Sequence, residues 1–192
     1  MVDKKEEIVS FLKKNIKESR VSHIFRVSEY ARKLAKYYGL NEDKAEIAAL
    51  LHDCAKGIED NFSNSLVETE EFKILDLKNY PKLSHAAFAV ILARDKFNIY
   101  DEDILNAIKF HTTSRQMASD LENIIFLADK LEPGRTYKER EKLEKAAFTS
   151  LALGTLETLN ANIIYLIEEN RTIHPLALES RNYLLKKLEG NI

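Results

Sequence analysis

Residues 44–57 read KAEIAALLHDCAKG, and the fold follows from how that stretch has to sit. The run Ile47-Ala48-Ala49-Leu50-Leu51 suits a buried helix whose alanines let a neighbouring helix come close. Asn41 stands ahead of it as an N-cap, and Glu42 and Asp43 favour the positive end of the helix. The run closes on a polar pair, His52-Asp53, which points into the space the alanines open. Adjacent residues sit about 100° apart round a helix, so one metal ion takes both only near their overlap, whereas Asp53 could instead bridge two ions.

Working outward, the same helical period runs through almost the whole chain. Five glycines, three prolines and no low-complexity stretch predict an all-α fold, a single helical bundle with the site between its helices and no separate linker. One domain is expected over 1–192, with a metal-binding core over about 20–135 and C-terminal helices over about 138–188. Helices are predicted over about Lys4 to Ile16 and Val21 to Tyr38, the second stopped by Gly39 in the C′ role. Residues 57–82 are polar and less regular, with a short helix around Asn64 to Glu71, and are the segment best suited to be a lid. Pro81 and Ser84 then introduce HAAFAVILARDKF; Asp101 caps a helix ending near His111; Ser119 or Asp120 caps LENIIFLADKLE, which Pro133-Gly134 stops. A long helical stretch from Lys138 to about Glu169 is expected to break near Gly154, and Pro175 to start the last helix at its first turn.

Composition narrows the class. A 192-residue chain that is 45% hydrophobic can bury a large core, roughly 70% of its unfolded surface. A net charge of −2 gives no general attraction to nucleic acid or anionic membrane, so any phosphate site must be local. One cysteine, Cys54, forms no internal disulfide, the start MVDKKEEIVSFLKK is too charged for a signal peptide, and no apolar run approaches the ~20 residues of a membrane span. A cytoplasmic protein is expected, and a homodimer is compatible with everything above.

Four of the five histidines, His23, His52, His85 and His111, join Asp53 and Asp129 in or beside apolar helical runs. Asp129 follows Ile125 by four residues and Phe126 by three, so it shares a face with large apolar groups, where an unpaired carboxylate is heavily penalised. His85 opens one apolar helix and His111 closes another, which suits ligands facing a common cavity in a bundle. Imidazole and carboxylate donors without thiolate suit iron, manganese or zinc, and calcium or magnesium would call for more oxygens. Two ions would use all six groups and a bridging hydroxide, one ion only three or four. His174 precedes Pro175 and belongs to a helix entry, and Cys54 reads as a small buried residue.

Around these six, Lys56 comes three residues after Asp53 and four after His52, hence on the same side of that helix, where its ammonium would meet a phosphate. Lys130 and Arg135 add positive charge near Asp129. Thr112 and Thr113 offer hydroxyls to phosphate or finish a helix, and Arg26, one turn after His23, reaches the phosphates or orients a ligand carboxylate.

The ordered set of six, with HDCAK at 52–56, HTTS at 111–114 and ADKLEPGR at 128–135, resembles the bacterial YqeK branch of the HD-domain superfamily. The resemblance runs from SHIFRV at 22–27 to HPLALESRNYL at 174–184. It implies an all-helical HD fold, a di-iron centre with His23, His52, Asp53, His85, His111 and Asp129 as ligands, and symmetrical hydrolysis of diadenosine tetraphosphate to two ADP. One position departs from the family, where HTT is commonly followed by glycine and here by Ser114; a positive φ there would strain the turn. The mechanism expected is in-line attack by the bridging hydroxide at an inner phosphorus, with Asp53 bridging the metals or taking the proton and Lys56, Lys130 and Arg135 neutralising the leaving nucleotide. Cleavage of other nucleotides by the same kind of site, oxygen activation at a di-iron centre, and a nucleotide-responsive binding module with a structural metal remain the alternatives.

Overall fold

The computed structural model of the protein describes residues 2–59 and 69–190. Its regular elements are helices: α1 Val2–Asn15, α2 Glu18–Tyr37, α3 Glu42–Leu51, α4 Glu70–Ile74, then a 3-10 turn at Pro81–Leu83, α5 Ser84–Asp95, α6 Glu102–Phe110, α7 Asp120–Leu131, α8 Arg140–Thr149, α9 Leu151–Glu168 and α10 Pro175–Leu188. Among the described residues there is no strand, and no helix is long and apolar enough to cross a membrane.

The ends of these helices follow from local chemistry. Asn41 accepts from the Lys44 amide, Asp101 from the Asp103 and Ile104 amides, and Ser119 forms a reciprocal box with Glu122, which satisfies amides a helix start leaves free. Gly39 has φ +67°, the left-handed turn that ends α2. The helix expected over Asn64 to Glu71 falls mostly outside the described residues, whose part is α4 from Glu70.

One expected break lies elsewhere. The stretch after Lys138 divides at Ser150, extended at φ −158° and ψ 150°, whose hydroxyl caps α9 by accepting from Leu153. Gly154 lies inside α9, where a Cβ would stand 2.4 Å from the Ala147 Cα of α8. The glycine allows two helices to touch and is not the place where one ends.

The core forms where α2 meets α3 and α7, and where α6 crosses α3 and α7. Ala31, Leu34 and Ala35 of α2 and Ala45, Ala48 and Ala49 of α3 are all fully buried, so small side chains let the two backbones approach. Ile108 of α6 and Ile124, Ile125 and Phe126 of α7 complete a dense interior. The ends of α3, α6 and the start of α5 meet at this interior, and that is where the polar groups are.

Candidate metal centre

His23 comes from α2 and Asp129 from α7, His52 and Asp53 follow the last residue of α3, His85 is the second residue of α5, and His111 follows α6. All six are buried. Each imidazole is aimed by the nitrogen that faces away from the centre. Nδ1 of His52, His85 and His111 donates to the carbonyl three residues earlier, Ala49 at 2.6 Å, Lys82 at 2.9 Å and Ile108 at 2.7 Å. His23 has no such carbonyl free within its helix; its Nδ1 donates across the bundle to Glu132 Oε1 at 3.1 Å. With Nδ1 carrying the proton, every Nε2 presents a lone pair inward.

The inward atoms crowd round two carboxylates. Asp53 Oδ1 lies 3.5 Å from His85 Nε2 and 3.7 Å from His111 Nε2, and Asp53 Oδ2 lies 3.7 Å from His52 Nε2 and 4.0 Å from His23 Nε2. Asp129 Oδ1 is 3.1 Å from His23 Nε2 and 3.9 Å from His52 Nε2. Two triads, His23/His52/Asp129 and His52/Asp53/His111, each bring three ligand atoms within 4.8 Å of one another. His85 stands outside both triads, with its Nε2 3.3 Å from that of His111.

Nε2 of His23 and of His52 is buried without a hydrogen-bond partner, His23 Nε2 standing 3.1 Å from Asp129 Oδ1. A buried polar atom left in that state costs about 1–3 kcal/mol, which a cation accepting the lone pair would remove. The donor set fits such an ion: four imidazoles and two carboxylates. Burial pushes His52 down despite the nearby aspartates, and pushes His85 down to about 4 and His111 well below its ordinary value. Burial would raise Asp53, yet the surrounding imidazoles hold it below the usual carboxylate range. Burial opposes ionisation of Asp129 too, and is outweighed by Lys130, His23 and the other imidazoles.

Cations rim the centre. Lys130 Nζ donates to Asp129 Oδ2 at 2.8 Å, and Arg135 grips the same residue through Oδ1 at 2.8 Å and its carbonyl at 3.0 Å. Lys56 Nζ lies against the edge of His85, 3.1 and 3.3 Å from its ring nitrogens. The route by which it gets there differs from the one expected: α3 stops at Leu51, and turns through 52–57, not a continuing helix face, bring Lys56 round. Thr112 Oγ1 is 3.1 Å from His111 Nε2, whereas Thr113 is buried with its hydroxyl unpartnered.

Two expectations are corrected or resolved by geometry. Arg26 meets neither Asp53 nor Asp129; its Nε donates to Glu132 Oε2 at 2.6 Å, so the carboxylate it orients is the one behind His23. Ser114 does have the positive φ that favours glycine, +56°, at a cost of about 1–2 kcal/mol for an L residue, and its hydroxyl is within 2.9 Å of that of Ser180 on α10.

Two further residues join the centre. Glu132, almost fully buried, accepts from His23, Arg26 and the Gly134 amide; its three-residue spacing from Asp129 was the available signal. Arg20, one turn before His23, reaches Asp53 Oδ2 at 2.9 Å with its side chain one-third exposed at the mouth.

Residues 20–134, the span that holds all six groups, match the HD domain model. The chain belongs to the HD-domain family. Within it the relatives are those of the YqeK branch. A Halalkalibacterium halodurans protein named symmetrical bis(5′-nucleosyl)-tetraphosphatase is 39% identical over 178 residues, 92% of this chain and 95% of the relative. A Bacillus subtilis protein of the same name is 30% identical over 181 residues, 94% and 97% of the two chains. A solved structure from Clostridium acetobutylicum, described as a predicted HD superfamily hydrolase involved in NAD metabolism, superposes with a TM-score of 0.83 at 36% identity, covering 95% of this chain and 97% of that one. Glu132, just past Asp129, thus falls inside the matched HD span, and α10 falls outside it.

Proposed function

We propose that this HD-domain protein is a metal-dependent hydrolase that cleaves dinucleoside polyphosphates symmetrically, diadenosine tetraphosphate to two ADP. The observation that carries the reading is the convergence of four inward imidazole nitrogens on Asp53 and Asp129 inside a rim of cations, in a chain similar over nearly its whole length to relatives named for that activity.

Two divalent ions are proposed, iron first among the metals that suit this donor set, with manganese and zinc the other candidates. Each imidazole offers one lone pair, so His52 can serve one ion only. His23, His52 and Asp129 would hold one ion and His85 and His111 the other, with Asp53 available to both. What supports it is that Asp53 Oδ2 faces His52 and His23 while Oδ1 faces His85 and His111. Bound there, the ions would supply a water of lowered pKa and draw charge off the phosphoryl oxygens.

The chain's own residues do the rest. Asp53 and Asp129, held ionised, would hold the ions with no proton on the carboxylates to compete. Lys56, Lys130, Arg135 and Arg20 surround the centre and neutralise the polyphosphate as charge moves to the leaving nucleoside diphosphate, Arg135 and Arg20 being able to hold oxygens in pairs. Thr112 adds a hydroxyl beside His111. Arg26 and Glu132 act from behind by fixing His23.

The test is anaerobic incubation of iron- or manganese-loaded protein with diadenosine tetraphosphate, following products by chromatography. ADP as sole product is expected. AMP with ATP would overturn symmetrical attack, and absence of turnover in every metal form would overturn the enzyme reading.

A further inference from the structure

The C-terminal helix α10 makes two polar contacts toward the segments that carry His85 and His111. At its middle, the Ser180 hydroxyl, fully buried, shares a hydrogen bond of 2.9 Å with that of Ser114, three residues after His111. At its start, His174 uses both ring nitrogens. Nδ1 accepts from the Leu176 amide at 3.2 Å and so caps α10, which leaves the proton on Nε2 to be donated to the Leu75 carbonyl at 3.1 Å. The His174 ring also packs on Tyr80 with centroids 4.4 Å apart, and the Tyr80 hydroxyl donates to the Ile173 carbonyl at 3.3 Å. Residues 75–80 lead through the turn at Pro81–Leu83, whose Lys82 carbonyl orients His85.

These contacts meet at one side of the centre. His85 and His111 are neighbours, Nε2 to Nε2 at 3.3 Å, and each is aimed by a carbonyl of its own turn. A turn aims a ring only as firmly as the turn itself is held. Ser114 takes a left-handed conformation that glycine would adopt freely, and its hydroxyl is spent on α10, so the bond there offsets a backbone that an L residue does not favour. Residues 20–134 match the HD domain and α10 lies beyond them.

We infer that α10 is a brace for the His85/His111 side of the centre, with Ser114, Ser180 and His174 as positioning residues that act through the two turns. The inference rests on reading His85 and His111 as metal ligands. Because the brace sets ligand geometry and not contacts to the polyphosphate, its loss shows in kcat and metal occupancy more than in KM.

Four variants test it in the full chain, Ser180→Ala, Ser114→Gly, the two combined, and His174→Asn, which keeps a cap for α10 but is too short to span to Leu75. Each is measured for kcat and KM on diadenosine tetraphosphate, for manganese occupancy at equilibrium, and for amide hydrogen exchange over 75–83 and 111–119. Expected is a fall in kcat of about tenfold with KM held within about twofold, the scale of lost support behind a metal ligand. Occupancy falls with it, exchange quickens over 111–119 in the serine variants and over 75–83 in His174→Asn, and the double variant is no worse than the worse single, since one bond is removed once. Wild-type kcat and occupancy in Ser180→Ala, or additive losses in the double variant, overturn the brace. If the wild-type protein leaves diadenosine tetraphosphate intact, the proposed function falls separately, and exchange and occupancy still decide: unchanged exchange over both segments in the variants overturns the brace.

Discussion

His23 on one side of the centre and His85 with His111 on the other are oriented by different means. His85 and His111 donate to main-chain carbonyls of their own turns, Lys82 and Ile108, and His52 does the same to Ala49. His23 is held by the side chain of Glu132, 109 residues away, which Arg26 and the Gly134 amide hold in turn. A carbonyl three residues back survives almost any substitution of the residue that bears it. A carboxylate delivered from another helix does not, so one side of the centre is robust to side-chain change and the other depends on a single glutamate.

The largest effect expected is on the proposed ligands themselves. Replacing His52 or Asp129 by alanine should abolish metal retention and turnover, measured by metal analysis of purified protein and by ADP release; a metal-free, fully active His52→Ala protein would sink the proposed centre. Glu132→Gln comes next and tests the contrast directly. With the acceptor for His23 weakened and the Arg26 charge unmatched, metal affinity should drop by about 10–100-fold. Lys82→Ala, which leaves the carbonyl facing His85, should stay within about threefold by the same titration, and equal losses in the two variants would erase the distinction.

Smaller is the effect of a rim cation. Lys56→Met should lower kcat/KM by about tenfold, the scale of one charge-assisted contact to phosphate, while metal content stays at the wild-type level. Loss of metal together with activity would mean that Lys56 supports His85 and does not meet substrate.

The last prediction concerns pH and the imidazoles that burial keeps neutral. His85 is pushed down to about 4 from an ordinary 6.5, and His52 and His111 shift the same way. Between those values the unfolded chain binds protons that the folded chain refuses, so stability rises with pH across the window and is lost as pH falls. Asp53 and Asp129, held ionised below the ordinary carboxylate range, act in the same sense at lower pH. Chelator-treated protein should therefore show a lower urea midpoint at pH 5 than at pH 7; an equal or higher midpoint would mean that these rings are not held neutral.

Much of the centre was legible because its members announce themselves locally. His52-Asp53 ends an alanine-rich run, Asp129 shares a helix face with Ile125 and Phe126, and Asn41, Asp101 and Ser119 mark helix starts through bonds that span three residues or fewer. Glu132 is not legible in this way, because a glutamate before Pro133 reads as an ordinary helix end until His23 is known to lie against it. Gly154 is ambiguous for a related reason: a lone glycine in a helical stretch signals a break, and only the approach of Ala147 from α8 shows that it is a contact. Lys56 reached the site by turns that no helical spacing describes.

The sequence by itself determined the helical class, the six imidazole and carboxylate side chains that converge, and the family to which the chain belongs, since these rest on periodicity, capping and motifs written in consecutive residues. Tertiary structure alone decided which carboxylate aims His23, where Arg26 is spent, how Asp53 divides its oxygens between two pairs of imidazoles, and that α10 reaches the centre through Ser180 and His174. Those are contacts between groups tens of residues apart, and their direction is set by how the helices pack, which no local pattern records.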